Sequence, residues 1–292
     1  MADSATWRYK AVSKTQEYLF DIADLVTLPD IYIAVKEAVE DPDVGINDLA
    51  EVITYDPAIS TRLLKVANSP FYGQISNIDT VKKAISLLGT KTVHDLVLAT
   101  SIAHAFQSIV GINYDVATFW QNSLMRATVA KVCAHELKIR EPDRFFILGL
   151  LSDIGHMVMS IRAPKLMLKV LQQHNKTGYP LYLFERSTFG FDYGELGADV
   201  LESWSLPESI VNAIRYQNCP EISPEYQQEA AIIYCAGRLH PGESTFPSML
   251  DIETMNQVNI GQFDYDQVRS MATALYEEAL NLFPVNQLKQ AI

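Results

Sequence analysis

The sequence contains few cysteines, and none of them has the spacing of a metal site. Cys133, Cys219 and Cys235 are the only three in 292 residues, and no two of them form a CxxC pair. Structural zinc sites use closely spaced cysteine pairs, so a site of this kind is not expected. We interpret the three as reduced and mostly buried thiols, which favours a cytoplasmic protein.

Segments that direct a chain to a membrane are also missing. The longest uncharged apolar runs are shorter than the ~20 residues that a membrane-spanning helix needs. Residues 1–8 lack the basic region followed by an apolar core that a signal peptide would have. We therefore expect no membrane association and a cytoplasmic location.

Positive charge is scarce relative to negative charge. The chain has 23 Lys and Arg residues against 35 Asp and Glu residues, which gives a formal net charge of -12. Such a chain repels the phosphate backbone of nucleic acids, so nucleic acid is a poor candidate partner and we expect none. The same charge permits docking to a basic protein surface.

Strand signals are absent, whereas helix signals recur along the chain. No run alternates between apolar and polar residues, and neither Asn-Gly nor Asp-Gly marks a hairpin. Asp56-Pro57 is expected to start one helix, and Thr80 and Gly89 to start and end another. Further helices are expected over 11–26, 31–39, 48–54 with Asn47 as cap, 93–106 with Thr90 as cap, 116–137, 166–174, 181–187, 191–204, 207–216, 227–239 and 266–283. The predicted fold class is all-α.

A break in the pattern near residues 107–115 divides the predicted helices into groups. We expect residues 1–110 to form an N-terminal helical lobe and residues 111–240 to form a second helical lobe. Residues 241–292 are expected to form a helical extension at the C-terminus.

The most apolar stretch of its length, residues 144–162, carries Asp153 at its centre. An ionised carboxylate is expensive to bury unless it is paired or bound. Gly149 and Gly155 flank it, and a glycine costs a helix roughly 1 kcal/mol relative to Ala, so each indicates close packing or a bend. The stretch therefore predicts a site, or the remnant of one, that needs partners for Asp153.

The order of several motifs resembles the HDOD family of signalling proteins, which are related to the HD-domain phosphohydrolases. The resemblance covers roughly residues 20–240. Its most specific parts are the turn Ala67-Asn68-Ser69-Pro70-Phe71-Tyr72-Gly73 and the Leu150-Leu151-Ser152-Asp153-Ile154-Gly155 stretch. It implies an HD-like helical bundle with a helical N-terminal lobe.

The resemblance also implies positions for metal ligands, and this chain has replaced nearly all of them. HD-type hydrolases hold metal ions through histidines from several helices and a His-Asp pair, and the metal activates water. Only the aspartate of that pair, Asp153, is retained. The histidine positions of the family hold Ser152, Asn122, Tyr193, Gln217 and Asn218. These side chains are poor ligands for a transition metal, so we expect no metal, no cofactor and no catalytic residue.

Instead, we predict that Asn122, Ser152, Asp153, Tyr193 and Gln217 converge in one small polar cluster. Their amides and hydroxyls could satisfy the carboxylate without an ion. The turn formed by Asn68, Ser69, Pro70, Phe71 and Tyr72 has two interpretations, a rigid elbow between the lobes or a surface for a partner, and we favour the elbow.

Three other motifs give weaker evidence for a functional site. His94-Asp95 is a literal His-Asp dipeptide but lacks the flanking residues of the family, so we interpret it as a surface helix pair. His156 could share a helix face with Asp153, and we favour a packed histidine over a metal contact. Gly178-Tyr179-Pro180 precedes the helix of Glu185 and is interpreted as a helix-ending turn.

These observations favour a non-catalytic signalling or regulatory module that acts through a partner protein or a small ligand. A metal-dependent phosphohydrolase with an altered ligand set, using Asp153 and His156, is the alternative hypothesis. A nucleotide sensor that binds without hydrolysis is the third.

Overall fold

The computed structural model describes residues 14–19, 29–69, 78–107, 116–239, 249–257, 260 and 264–282. Within these ranges the chain is helical and contains no strand. The all-α prediction is therefore confirmed. Of the helix expected over 11–26, only residues 14–19 are described, and they are helical.

Beyond the helical residues 14–19, five helices are described in the first part of the chain. They are α1 Asp30–Glu40, α2 Ile46–Thr54, α3 Pro57–Ala67, α4 Val81–Leu88 and α5 Thr90–Gln107. The Asp56 carboxylate accepts hydrogen bonds from the backbone N–H groups of Ala58 and Ile59, at 2.8 and 3.0 Å. The Thr80 hydroxyl caps α4, and Gly89 ends it with a φ of 81°. These local signals lie where the sequence predicted them.

Two of the predicted caps are wrong. Helix α2 begins at Ile46, so Asn47 lies inside its first turn, and the backbone N–H of Gly45 donates to the Asp48 carboxylate at 2.9 Å. A carboxylate near the start of a helix also interacts favourably with the helix dipole, which explains the earlier start. Thr90 is the first helical residue of α5 rather than its cap.

The second part of the chain contains a further run of helices. They are α6 Val116–Glu136, α7 Asp143–Leu151, α8 Ile154–Arg162, α9 Pro164–Thr177, α10 Leu181–Phe189, α11 Tyr193–Ser203, α12 Glu208–Arg215, a short 3-10 turn Pro220–Ile222, α13 Gln227–Arg238, α14 Met249–Gln257 and α15 Tyr265–Leu282. Helix α14 was not predicted, because its short sequence shows little helical periodicity.

Two hydrophobic clusters hold these helices together. The larger one includes Tyr32 of α1, Leu98 of α5, Leu151 of α7 and Val158 of α8, so both predicted lobes contribute to it. The second lies between α6, α13 and the C-terminal helices, and Val268 and Ala272 of α15 are buried in it. The C-terminal extension therefore packs against the second group of helices. The break expected at 107–115 and the loop before α14 lie largely outside the described residues.

The apolar stretch at 144–162 forms two helices, α7 and α8, that meet at Ser152 and Asp153. Asp143–Arg162 is long and apolar enough to be a candidate membrane span, yet 83% of that window is buried inside the fold. This burial is typical of a core segment, and the break at Asp153 interrupts it.

The two glycines of this stretch allow close helix packing, as expected. A Cβ atom on Gly149 would lie 2.6 Å from the backbone oxygen of Arg126, so α7 packs tightly against α6. A Cβ atom on Gly155 would lie 1.9 Å from the backbone oxygen of Tyr193, so α8 packs against α11 only because residue 155 has no side chain. Gly149 and Gly155 lie close to Asp153 in the chain. The packing that they allow places α6 and α11 near Asp153.

Candidate functional site

Asp153 lies at the junction of α7 and α8 and is only 6% exposed. It occupies the N-cap position of α8, but its side chain makes no capping hydrogen bond to that helix. Its carboxylate contacts residues of other turns and helices instead. Oδ1 of Asp153 lies 2.8 Å from Nη1 of Arg126 on α6 and 3.0 Å from Nδ1 of His156 on α8. The buried negative charge is thus compensated by two nitrogen groups of the protein itself.

His156 contacts a second carboxylate in addition to that of Asp153. Its Nε2 lies 2.8 Å from Oε1 of Glu185 on α10, and Glu185 is completely buried. This contact is an ion pair that lacks the alignment of a hydrogen bond. The other oxygen of Glu185 accepts a hydrogen bond from the backbone N–H of Tyr193 at 3.0 Å. The Tyr193 ring stacks on the imidazole with a centroid distance of 3.8 Å.

The two carboxylates determine the protonation state of His156. Burial alone lowers the pKa of this imidazole, but the charges of Glu185 and Asp153 outweigh burial and raise the pKa to about 9. His156 is therefore protonated at pH 7, so both of its ring nitrogens carry a hydrogen. Arg126 and His156 carry two positive charges, and Asp153 and Glu185 carry two negative charges. We call these four residues the charge network.

A set of neutral hydrogen bonds surrounds the charge network. The Tyr193 hydroxyl donates to Oδ1 of Asn218 at 3.1 Å, and burial raises the pKa of Tyr193 to about 12. Nε2 of Gln217 donates to the backbone oxygen of Ser152 at 2.8 Å, and the Ser152 hydroxyl donates to the backbone oxygen of Gly149 at 2.8 Å. These bonds connect the segment after α12 to the junction of α7 and α8.

The structure brings four of the five predicted cluster residues together. Ser152, Asp153, Tyr193 and Gln217 all belong to these connected contacts, and all four are buried. Asn122 is exposed on α6, one turn before Arg126, and no hydrogen bond joins it to the cluster within the described part of the chain. The partners found for Asp153 are a guanidinium and an imidazole, rather than the predicted amides and hydroxyls.

Two members of the charge network, Arg126 and Glu185, were missed from the sequence. A signal for Arg126 was available, because a buried carboxylate calls for a cation and α6 contains few of them. Glu185 gave no such signal, since a single glutamate on a helix is usually exposed. Its burial follows only from the packing of α10 against the fold.

A second ionic group lies at the start of α11. Nη2 of Arg186 contacts Oδ2 of Asp192 at 2.8 Å, and Asp192 and Glu195 form a reciprocal capping box at the N-terminus of α11. Asp192 is fully buried. Burial raises the pKa of its carboxyl to about 6, although Arg186 favours the charged form. This group fixes the entry of α11 and hence the position of Tyr193.

The predicted turn at 68–72 is described only at Asn68 and Ser69, and Pro70, Phe71 and Tyr72 lie outside the described residues. The Asn68 side chain donates to the backbone oxygens of Leu64 and Ile78, at 2.8 and 2.7 Å, and accepts from the backbone N–H of Ile78 at 2.7 Å. Ser69 is buried, and its hydroxyl donates to Val66. Asn68 therefore ties the end of α3 to the start of the segment that leads into α4.

Two of the weaker motifs have structural roles. His94 and Asp95 contact each other at 3.1 Å, but their side chains are only 12% and 15% exposed, so the prediction of a surface pair is wrong. The cause is the packing of α5 against α1, where His94 meets the ring of Tyr32. Gly178 ends α9 in the left-handed conformation, with a φ of 72°.

The side chains around Asp153 do not fit a catalytic metal. Asp153 already faces a guanidinium, and both ring nitrogens of His156 already face carboxylates. The positions that the resemblance assigns to metal-binding histidines hold hydroxyls and amides. Within the described residues, no group of three or more His, Cys, Asp or Glu side chains has an arrangement that could hold a metal ion.

Comparison with known proteins places the chain within a family. The model of the HDOD domain matches residues 25–220. A curated protein of Treponema pallidum (strain Nichols), which is named only as an uncharacterized protein, is 25% identical over 211 residues. These are 70% of this chain and 40% of that protein, so the chain spans less than half the length of this relative.

Solved structures share the fold. A "Putative phosphohydrolase" from Shewanella amazonensis SB2B superposes with a TM-score of 0.70 at 22% identity, over 93% of this chain and 97% of that chain. A "Putative signal transduction protein" from Marinobacter aquaeolei VT8 superposes with a TM-score of 0.70 at 19% identity, over 98% of this chain and 66% of that chain. At these identities the similarity concerns the fold alone.

Proposed function

Because the chain belongs to the HDOD domain family, we propose that it is a non-catalytic regulatory module of signal transduction that acts by binding a protein partner. The observation that carries this proposal is the pairing of Asp153 with Arg126 and His156, at 2.8 and 3.0 Å. In an HD hydrolase this carboxylate would serve a metal ion. Here the protein supplies its own cations at that position.

The charge network supports a structural role for the former site. A hydrolytic metal centre needs an ion with an open position for water. The network instead contains equal positive and negative charge, and both nitrogens of His156 face carboxylates. Opening a ligand position would break at least one buried ion pair, and breaking such a pair is strongly destabilising. The network therefore favours a rigid scaffold over a reactive centre.

The surface properties support binding to a protein. The net charge of -12 disfavours nucleic acid and favours a basic partner. Cys133 and Cys235 are buried and Cys219 is partly buried, and all three are free thiols. Free thiols suit a reducing compartment, so we also propose a cytoplasmic location.

The proposal is tested first by metal content and hydrolytic activity. The purified full chain is analysed for transition metals and assayed with bis(p-nitrophenyl) phosphate in the presence of added Mn²⁺. We expect substoichiometric metal and no hydrolysis above that of an Asp153→Asn variant. Stoichiometric metal together with hydrolysis that the variant loses would overturn the proposal in favour of a phosphohydrolase with an altered ligand set.

A second measurement addresses the nucleotide sensor. Titration of the chain with cyclic dinucleotides in a calorimeter is expected to give no saturable heat. Saturable binding without hydrolysis would overturn the proposal in favour of a nucleotide sensor. Affinity capture from the native cell, followed by purification of the captured protein, is expected to give a complex of defined stoichiometry.

A further inference from the structure

The first helices of the chain form an open groove. Its lining comes from α1, the C-terminal end of α2 and the start of α3, and its volume is about 410 Å³. The lining residues are Asp30, Ile31, Ala34, Val52, Tyr55 and Asp56. Aliphatic side chains line its interior, whereas Asp30 and Asp56 contribute carboxylates. We call it the front groove.

Tyr55 is the most unusual residue of the front groove. Its side chain is 80% exposed, although tyrosine is a large and partly apolar residue. Its hydroxyl donates to a carboxylate oxygen of Glu51 at 3.4 Å. Exposed aromatic residues next to an apolar depression are typical of protein interfaces, where tyrosine is enriched.

Negative charge is concentrated in the segment of the chain that forms this groove. Residues 30–56 contain eight carboxylates and one lysine, so this short segment holds a net charge of -7 out of -12 for the whole chain. Seven of the eight carboxylates belong to exposed residues. The segment that forms the groove is therefore acidic, and Asp30 and Asp56 bring negative charge to its lining, which favours cationic ligands.

The one lysine of the segment does not neutralise the groove. Nζ of Lys36 donates to the backbone oxygen of Ser205, at 2.8 Å, in the turn after α11. Among the eight carboxylates, only Glu40 lies within 4.0 Å of a cation of the described residues, at 3.9 Å from Lys36. Within the described residues the carboxylates of Asp30, Glu51 and Asp56 thus form no ion pair, so a cationic partner could pair with them.

We propose that the front groove is the docking surface for a basic amphipathic helix of a partner protein. The partner helix would place an apolar side chain against Ile31, Ala34 and Val52 and would flank it with Lys or Arg residues. This proposal rests on the proposed function, because it assigns a surface and a partner chemistry to the same binding role.

Charge selects this occupant over the others. Nucleic acids and anionic membranes are negatively charged and would be repelled by the carboxylates around the groove. A second copy of this chain also carries -12, so self-association through the groove is disfavoured. A basic helix brings both the apolar anchor and the cations, and a Lys or Arg residue can also lie over the Tyr55 ring.

The test uses a defined probe and the full chain. The probe is a rhodamine-labelled amphipathic helix of Leu and Lys residues, and its control is a scrambled peptide of the same composition. Fluorescence anisotropy at 0.15 M salt is expected to show saturable binding of the amphipathic peptide, with at least fivefold weaker binding of the scrambled one. Absence of binding, or equal binding of the two peptides, would overturn the proposal.

Matched variants locate the binding. Asp30→Lys with Glu51→Lys changes the charge of the groove, and Glu225→Lys with Glu253→Lys makes the same change at two exposed positions elsewhere. We expect at least a tenfold loss of affinity in the groove variant and less than a twofold loss in the control. Equal losses would mean general charge attraction and would refute a specific groove.

A third variant separates folding from binding. Tyr55→Ala keeps all charges and changes a highly exposed side chain, and it is expected to weaken binding at least threefold with an unchanged thermal melt. Unchanged affinity would count against the groove. Because metal content and hydrolysis are measured separately, failure of peptide binding would remove the docking surface and leave the proposed function standing.

Discussion

The imidazole of His156 lies 2.8 Å from the carboxylate of Glu185, a residue with no solvent exposure. The same imidazole contacts Asp153 through its other nitrogen at 3.0 Å. One protonated ring therefore joins two buried acids that come from different helices. The following predictions test this arrangement and the packing that holds it.

Replacement of His156 is expected to destabilise the protein strongly. His156→Gln removes the positive charge between Asp153 and Glu185, and a buried charge without its partner costs about 3–5 kcal/mol. The free energy of unfolding is measured by urea denaturation. His135→Gln serves as the control, because that side chain is 66% exposed, and its effect should stay within about 0.5 kcal/mol. A loss below ~1 kcal/mol in His156→Gln would contradict the network.

Stability should depend on pH through His156. The pKa of His156 is about 9 in the folded protein, whereas the ordinary pKa of a histidine side chain is 6.5. Because the folded value is raised, the stabilisation is complete below pH 6.5 and is lost as the pH rises through 9. The difference between these two pKa values corresponds to about 3 kcal/mol in the free energy of unfolding. Other groups titrate in this range, so the difference between the wild type and His156→Gln is measured. A difference that does not shrink between pH 6.5 and 9 would refute the protonated state.

Gly155→Ala should disrupt the packing of α8 against α11. The added Cβ atom would lie 1.9 Å from the backbone oxygen of Tyr193, so a helix must move. We expect a loss of roughly 3 kcal/mol or more in the free energy of unfolding. Gly237→Ala is the matched control on α13, where the Cβ atom would meet Nη1 of Arg126 at 3.5 Å. That variant should be neutral or more stable by up to ~1 kcal/mol.

Asn68→Ala should loosen the connection between α3 and α4. The amide makes hydrogen bonds to Leu64 and Ile78, and the variant loses all of them. Asn68 is exposed and water can replace part of these bonds, so we expect a loss of about 1–2 kcal/mol. Asn68→Asp keeps the acceptor for the Ile78 N–H and should lose less. Asn47→Ala, at an exposed position of α2, is the control. Equal effects of Asn47→Ala and Asn68→Ala would contradict the role of the Asn68 amide in joining α3 to α4.

The order of helices could be predicted from the sequence because their signals are local. Asp56-Pro57, Thr80 and Gly89 act on neighbouring backbone groups, and the structure places them at helix ends. Helix α14 was missed, since a short helix that depends on packing has a weak pattern of its own. The surface interpretation of His94 and Asp95 failed for the same reason, because the packing of α1 on α5 determines their burial.

The sequence by itself determined that the chain is helical and acidic, since residue identity and short-range spacing carry that information. The resemblance to the HDOD family adds the prediction that the metal-binding histidines are replaced. It also determined that the buried Asp153 needs a partner. Only the tertiary structure decided that the partners are Arg126 and His156, and that Glu185 completes the network. These groups come from separate helices, and their contact depends on the close approach that Gly149 and Gly155 allow.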